Sequence, residues 1–249
     1  MLKPYPEFSA ITYGKTTEGY GTYNALQTQL SKHFSHGYNL SIAYTWSKSL
    51  DAINFLNAGD PKPWYGLSNG DYPSLLAVYG IYELPFGRNK PFFSDTNRIV
   101  KSIISGFQIN GTYRVQSGQP ITFASSDILA PNASYSDIGK VTNKGLQHWF
   151  NTAAFDTNSN DQLEDAVNTF PLRFGNVRQS NLDILNLGAE RKFHIWENVE
   201  TDFKFEAINA LNHTVFSAPN TSPTSTSFGK VSGVGNSARV LTFAFEGRF

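Results

Sequence analysis

Three stretches of this sequence hold residue types that do chemistry elsewhere. Gly66-Leu67-Ser68-Asn69-Gly70 matches G-x-S-x-G, the sharp turn that presents a nucleophilic serine. That chemistry needs a strand before the serine, a helix after it, and histidine and acid partners. Here the pentapeptide lies in a polar stretch and leads past Pro73 into an alternating segment, so a plain turn is the expectation. Asp156-Thr157-Asn158-Ser159-Asn160-Asp161 opens like a calcium loop. The loop pattern wants Gly sixth and Glu twelfth, and Asp161 and Val167 stand there instead. Glu164 and Asp165 add oxygens nearby; a solvated acidic loop is the expectation, an adventitious calcium site the alternative. The five histidines are His33, His36, His148, His194 and His213. Only His33 and His36 are close in sequence, beside a turn, which is not a metal-ligand spacing. No metal and no cofactor are therefore expected. With no cysteine, thiolate sites and disulfides are excluded. No Ser-His-acid set assembles, and the expectation is that the chain is not an enzyme.

Charge excludes another class. Twenty basic residues balance twenty acidic ones, so nothing suggests an electrostatic nucleic-acid binder. No stretch of eighteen apolar residues exists, which leaves no transmembrane helix. Aromatics are plentiful, with 20 Phe, 12 Tyr and 4 Trp. In the long loops Trp64, Tyr65, Trp149 and Phe150 offer faces on which a glycan could stack, with packing inside the loops the alternative.

The elements that position these residues are strands. Residues 20–34 place Leu26, Thr28, Leu30 and Phe34 opposite Gln27, Gln29, Ser31 and His33. After Ser35-His36-Gly37, residues 38–50 set Tyr38, Leu40, Ile42, Tyr44 and Trp46 against Asn39, Ser41, Ala43, Thr45 and Ser47. Aromatics bracketing an aliphatic middle are the pattern of interfacial girdles. A polar loop over about 51–72 precedes a third strand over 74–86. A fourth covers 103–124, with Phe107, Ile109, Tyr113 and Val115 on one face and Pro120 ending or bending its pairing. An irregular region follows, roughly 125–180. Residues 181–193 and 199–211 alternate again, joined by a turn at 194–198. A Ser/Thr/Asn/Pro-rich loop, 212–237, leads to the last strand, where Leu241, Phe243, Phe245, Gly247 and Phe249 share a face. On the opposite, polar faces Glu83, Glu190 and Glu206 have Lys192, Lys204 and Arg114 as possible partners.

The fold class predicted is all-β: a partial antiparallel transmembrane β-barrel of about seven to eight meandering strands with long extracellular loops. Connections 1–2 and 5–6 are short, and 2–3, 4–5 and 6–7 are long, the asymmetry of bacterial barrels. An odd strand count, with no apolar leader in Met1-Leu2-Lys3-Pro4-Tyr5-Pro6, leads us to expect residues 1–249 to be the C-terminal part of a larger barrel that starts within an extracellular loop. The terminal aromatic is the ending that the barrel-assembly machinery reads, so Leu241, Phe243, Phe245 and Phe249 are the expected assembly signal.

Eight segments in order carry a resemblance: YNALQTQLSKHFSHGYNLSIAYTWSKSLD (23–51), YELPFGRNKPF (82–92), GFQINGTYRVQSGQPIT (106–122), WFNTAAF (149–155), FGNVRQ (174–179), NLDILNLGAERKFHI (181–195), FKFEAINALNHTVFSAPN (203–220) and FGKV (228–231). With them the chain resembles, over nearly its whole length, the C-terminal barrel of TonB-dependent receptors of the Oar-like group, whose N-terminus carries a carboxypeptidase-regulatory-like domain. The resemblance implies uptake of a large or scarce ligand across the bacterial outer membrane through a plugged barrel of about 22 strands. Its expected partners are outer-membrane lipid, the β-barrel assembly machinery and, through the missing N-terminal part, the TonB complex. Plug and TonB box are not in this sequence, so the chain alone is not expected to transport. Residues 65–80 also lack the basic, His-containing opening to a strand seen in relatives. Two alternatives stand beside this reading: a surface glycan-binding β module, and a small self-closed barrel using 8–14 as an eighth strand.

Overall fold

The computed structural model describes residues 17–57, 59–87, 90–124, 127–162, 167–168, 171–196 and 199–248. It contains β1 (Tyr20–Ser35), β2 (Tyr38–Ala52), β3 (Gly66–Leu67), β4 (Ser74–Glu83), helix α1 (Arg98–Ile104), β5 (Phe107–Gln116), β6 (Pro120–Thr122), β7 (Arg173–Arg178), β8 (Leu182–Trp196), β9 (Val199–Ile208) and β10 (Val240–Arg248). Seven strands form one antiparallel path in the order β1-β2-β4-β5-β8-β9-β10, with β3 paired to β2. The path is open: β1 and β10 are its two ends, with no ladder between them among the described residues. Self-closure is therefore not what the described strands do, and residues 8–14 lie outside them.

The β1–β2 hairpin shows why the register holds. His36 and Gly37 both have positive φ, 55° and 83°, and Ser35 pairs with Tyr38. This is the two-residue turn whose twist matches that of the strands. From it the ladder runs Leu30↔Ile42, Thr28↔Tyr44 and Leu26↔Trp46. A slip of one residue would turn every apolar side chain to the other face.

Five boundaries differ from expectation in ways that matter to the topology. The third strand ends at Glu83, not 86. Residues 98–104 form α1, capped by the Asn97 side chain, which accepts from the Ile99 amide at 3.0 Å. The fourth strand therefore begins at Phe107 rather than 103. It stops at Gln116, and Pro120–Thr122 pairs with β7 in a separate two-stranded sheet. Finally, β8 runs on to Trp196, whereas β9 ends at Ile208.

Among the described residues one apolar core is enclosed, and it is not between the seven strands. Ile121, Phe123, Ile138, Trp149, Phe150, Ala154, Phe155, Phe174, Val177, Phe228 and Val231 pack together. All lie in the connections β5–β8 and β9–β10. The stretch expected to be irregular thus forms a small folded platform. Phe123 stacks on Phe155 at 5.1 Å and meets Phe150 edge-on at 5.1 Å.

Candidate functional site

Reading across the registers assigns every strand residue to one of two faces. One face carries Leu26 and Leu30, then Tyr38, Leu40, Ile42, Tyr44 and Trp46, then Leu76, Val78 and Tyr82, continuing through β5, β8 and β9 to Leu241, Phe243 and Phe245. Many of these apolar side chains are exposed, Leu30 66%, Trp46 63%, Phe243 64% and Phe245 74%, while Leu40, Ile42, Leu76 and Val78 are half-buried. A predominantly apolar face of this extent has no place in water. Trp46 and Tyr38, its aromatic limits on β2, are about 27 Å apart along the strand. A tilt of about 40° brings that to about 21 Å, close to the apolar band of a transmembrane barrel.

The other face is mostly polar, interrupted by Tyr23, Leu75, Tyr79, Ile81, Leu182, Ile184, Ile208 and Val240. On β1, β2, β4 and β5 it is mostly neutral: Gln27, Gln29, Ser31, Asn39, Ser41, Gln108, Asn110 and Thr112. On β8, β9 and β10 it is charged, and opposite signs face each other across the ladders, Glu190↔Lys204 and Lys192↔Asp202. Lys204 donates to Glu246 at 3.2 Å. Glu83 pairs with Lys90 at 3.0 Å, and Arg114 donates to Gln116 at 2.6 Å. Of the expected carboxylate partners, Lys204 does face Glu190. Glu83 takes Lys90, which the sequence reading did not name.

At the end of the sheet with the long loops, three connections lock into the platform. Arg178 is its centre. Nη2 donates to Asp71 Oδ2 at 2.6 Å, Nη1 to the Asp71 and Gly118 carbonyls at 2.9 and 3.1 Å, and Nε to the Gly175 carbonyl at 2.9 Å. Asp71 is fully buried, and its Oδ1 accepts from the Ser49 amide at 2.7 Å. The pair fastens the β2–β4 loop to β2, β7 and the β5–β6 corner. Trp149 Nε1 donates to the Arg178 carbonyl at 2.7 Å. Asn57 and Asn168 exchange hydrogen bonds of 2.6 and 3.2 Å between two of the loops. The third loop joins through Trp149 N to Gly229 O and Val231 N to Leu146 O. Gly118 is obligatory at its corner, because a Cβ there would stand 2.1 Å from the Gln179 carbonyl oxygen.

One carboxylate inside the platform is perturbed. Asp127 is 5% exposed, and burial pushes it up to about 6, against a smaller lowering by the Ala124 amide it accepts from. At the surface, Lys140 beside Asp137, with the Ser134 amide and hydroxyl, holds that carboxyl well below the usual range.

The residues singled out for chemistry fall as follows. Gly66–Leu67 is β3, and Ser68 follows in a turn whose hydroxyl accepts from the Gly70 amide at 3.3 Å. No helix follows it, and its nearest acid, Asp71, is held by Arg178. Asp156 and Asp161 accept bonds from Asn158 within their own loop, while Glu164 and Asp165 lie outside the described residues. Among the described residues no group of three histidines or carboxylates is placed to hold a metal. Trp149 and Phe150 are buried in the platform core, so loop packing is their role. Trp64 and Tyr65 remain exposed at 42% and 41%, and Tyr65 stacks on Tyr20 at 5.4 Å. Leu241, Phe243 and Phe245 share the apolar face on β10, and Phe249 lies outside the described residues. The Asp71–Arg178 pair had no sequence signal, since a lone acid and a lone base so far apart form no pattern.

A family model described as the outer membrane beta barrel domain matches residues 1–242. No curated protein and no solved structure matches the chain. A sheet that leaves its apolar side unpacked while a core folds within its loops is built for a bilayer, and the chain belongs to that family, an outer membrane β-barrel domain of the bacterial outer membrane.

Proposed function

We propose that the chain is the C-terminal part of the wall of an outer-membrane receptor of the TonB-dependent, Oar-like kind, which takes up a large or scarce ligand and has no enzymatic step. One observation carries this reading: among the described residues the two lateral edges of the sheet, including the sixteen-residue β1, have no partner strand. In a bilayer each unsatisfied backbone group costs several kcal/mol, so such an edge requires further strands. Strands from the same polypeptide, completing a wide barrel, supply them most simply. The polar inner wall and the platform over its mouth suit a channel that meets a bulky ligand. The chain does not transport alone; plug and TonB contact belong to the rest of the receptor. Leu241, Phe243 and Phe245 on β10, with Phe249 after them in the sequence, are the signal read by the assembly machinery.

The test is a growth panel of scarce nutrients, such as metal chelates, oligosaccharides and peptides, in cells carrying the complete reading frame. Loss of growth on one class, both on deleting the gene and on disabling the energy-transducing complex, is the expected result. Growth unaffected by the deletion across the panel rejects the reading. The exposed Trp64–Tyr65 pair favours a glycan-binding module as the second reading, which predicts oligosaccharide binding abolished by Trp64→Ala without any need for energy.

A further inference from the structure

The lipid-facing wall is not uniform. On β4 and β5, Gly80 and Gly111 are directly paired and lie on the apolar face. Leu40 and Leu187 flank them in the same row, Leu40↔Gly80 and Gly111↔Leu187. The four residues, with Tyr38 and Tyr82, line an almost wholly apolar groove of about 430 Å³. The missing Cβ atoms open it: a Cβ at Gly111 would come within 3.2 Å of Leu187 Cδ2, and one at Gly80 within 3.5 Å of Leu40 Cδ1.

A cation stands at its lower end. Lys32 pairs with Leu40 and so belongs to the lipid-facing set, where a charge is costly at mid-membrane. Its side chain runs toward the β1–β2 turn. The ammonium donates to the Ser35 hydroxyl at 2.7 Å and carbonyl at 3.1 Å, and lies 3.7 Å from the Tyr38 ring centre. A lysine drawn out this way sits at the level of the phosphates. Tyr38, which its ammonium touches, is also a wall of the groove. Apolar groove, phenolic rim and ammonium thus follow one another down the wall, in the order of acyl chain, glycerol region and phosphate in a lipid.

We infer that this groove is a binding site for one phospholipid of the periplasmic leaflet, its acyl chain over Gly80 and Gly111 and its phosphate on Lys32. The site is continuous with the lipid-facing belt, and the charge at its mouth matches the headgroup. It does not depend on what the barrel transports.

The experiment uses the protein extracted from outer membranes and placed in nanodiscs of phosphatidylethanolamine and phosphatidylglycerol, with a trace of each carrying a photoreactive acyl chain. Crosslinks mapped by mass spectrometry are expected in segments 38–42, 78–82 and 107–111, about tenfold above β10, the enrichment that 1.4 kcal/mol provides. Labelling spread evenly over the lipid-facing strands overturns the site, as does a groove that crosslinks to a second copy of the chain. Gly80→Val with Gly111→Val fills the groove and is expected to abolish the enrichment while heat-modifiable migration persists; unchanged enrichment in that folded variant also overturns the proposal. Lys32→Gln is expected to keep labelling but lose about fivefold preference for phosphatidylglycerol.

Discussion

Two buried carboxylates in the platform have different partners. The Asp71 carboxylate accepts from the Arg178 guanidinium and the Ser49 amide, and that of Asp127 from the Ala124 amide. Breaking a buried pair by removing one member leaves the other charge uncompensated, at a cost of about 3–5 kcal/mol. Arg178→Met is therefore expected to loosen the platform, seen as faster protease cleavage of the β5–β8 loop on intact cells, with heat-modifiable migration of the barrel unchanged. Replacing both partners, Asp71→Leu with Arg178→Met, should restore part of the protection. The folded pKa of Asp127 is raised, so the folded platform favours the protonated form. That stability is complete below the unfolded value near 4 and is lost as pH rises through about 6. Asp127→Asn should then flatten this dependence and stabilise the platform above pH 6 by at most about 3 kcal/mol. Proteolysis rates measured at pH 5 and pH 7.5 check it: wild-type and variant should differ most at the higher pH, and the gap should narrow by about half at the lower.

Among the elements, β10 separates its two faces most sharply. Phe243 lies opposite Phe205 and Phe245 opposite Phe203, with ring centres 4.9 and 5.1 Å apart, whereas Glu246 faces Asp202 and Lys204 inside. Phe243→Arg is expected to cost about 2–4 kcal/mol in folding from urea into bilayers, whereas Glu246→Gln should fall within about 0.5 kcal/mol. Equal effects would mean that the faces are assigned wrongly. Elements of this kind were legible because period-2 alternation records the two environments residue by residue; Tyr38 to Trp46 could be read directly. What was illegible has no period. Helix α1 is a single short stretch whose Ile99 and Val100 look like strand residues. The strand β6 begins at a proline, and its pairing with β7 joins residues far apart in sequence. The motif WFNTAAF was visible as a family segment, yet its reason appears only in three dimensions. Phe150 and Phe155 fill the core, and Asn151 accepts from Ala153 to cap a single 3-10 turn.

At the scale of the whole molecule, two apolar regions are stabilised by different solvents. The platform hides its aromatics from water, and the sheet offers its own to lipid. Phe123→Ala, at the centre of the platform, should cost about 3–5 kcal/mol there without touching assembly of the wall. Surface labelling of the loops on whole cells, set against the heat-modifiable band, separates the two outcomes. The outer-membrane barrel was legible from the order of segments rather than from any one of them. The open path of the sheet was legible as well, as a partial barrel of about seven to eight strands, because the odd strand count leaves an edge to be met.

The inner wall has a further consequence. Along β1, β2, β4 and β5 its amides and hydroxyls each donate and accept. Along β8, β9 and β10 the charges are fixed in sign and position and face one another across the ladders. The inner face thus has a neutral flank, able to meet a donor or an acceptor alike, and a charged flank whose groups are already matched with each other.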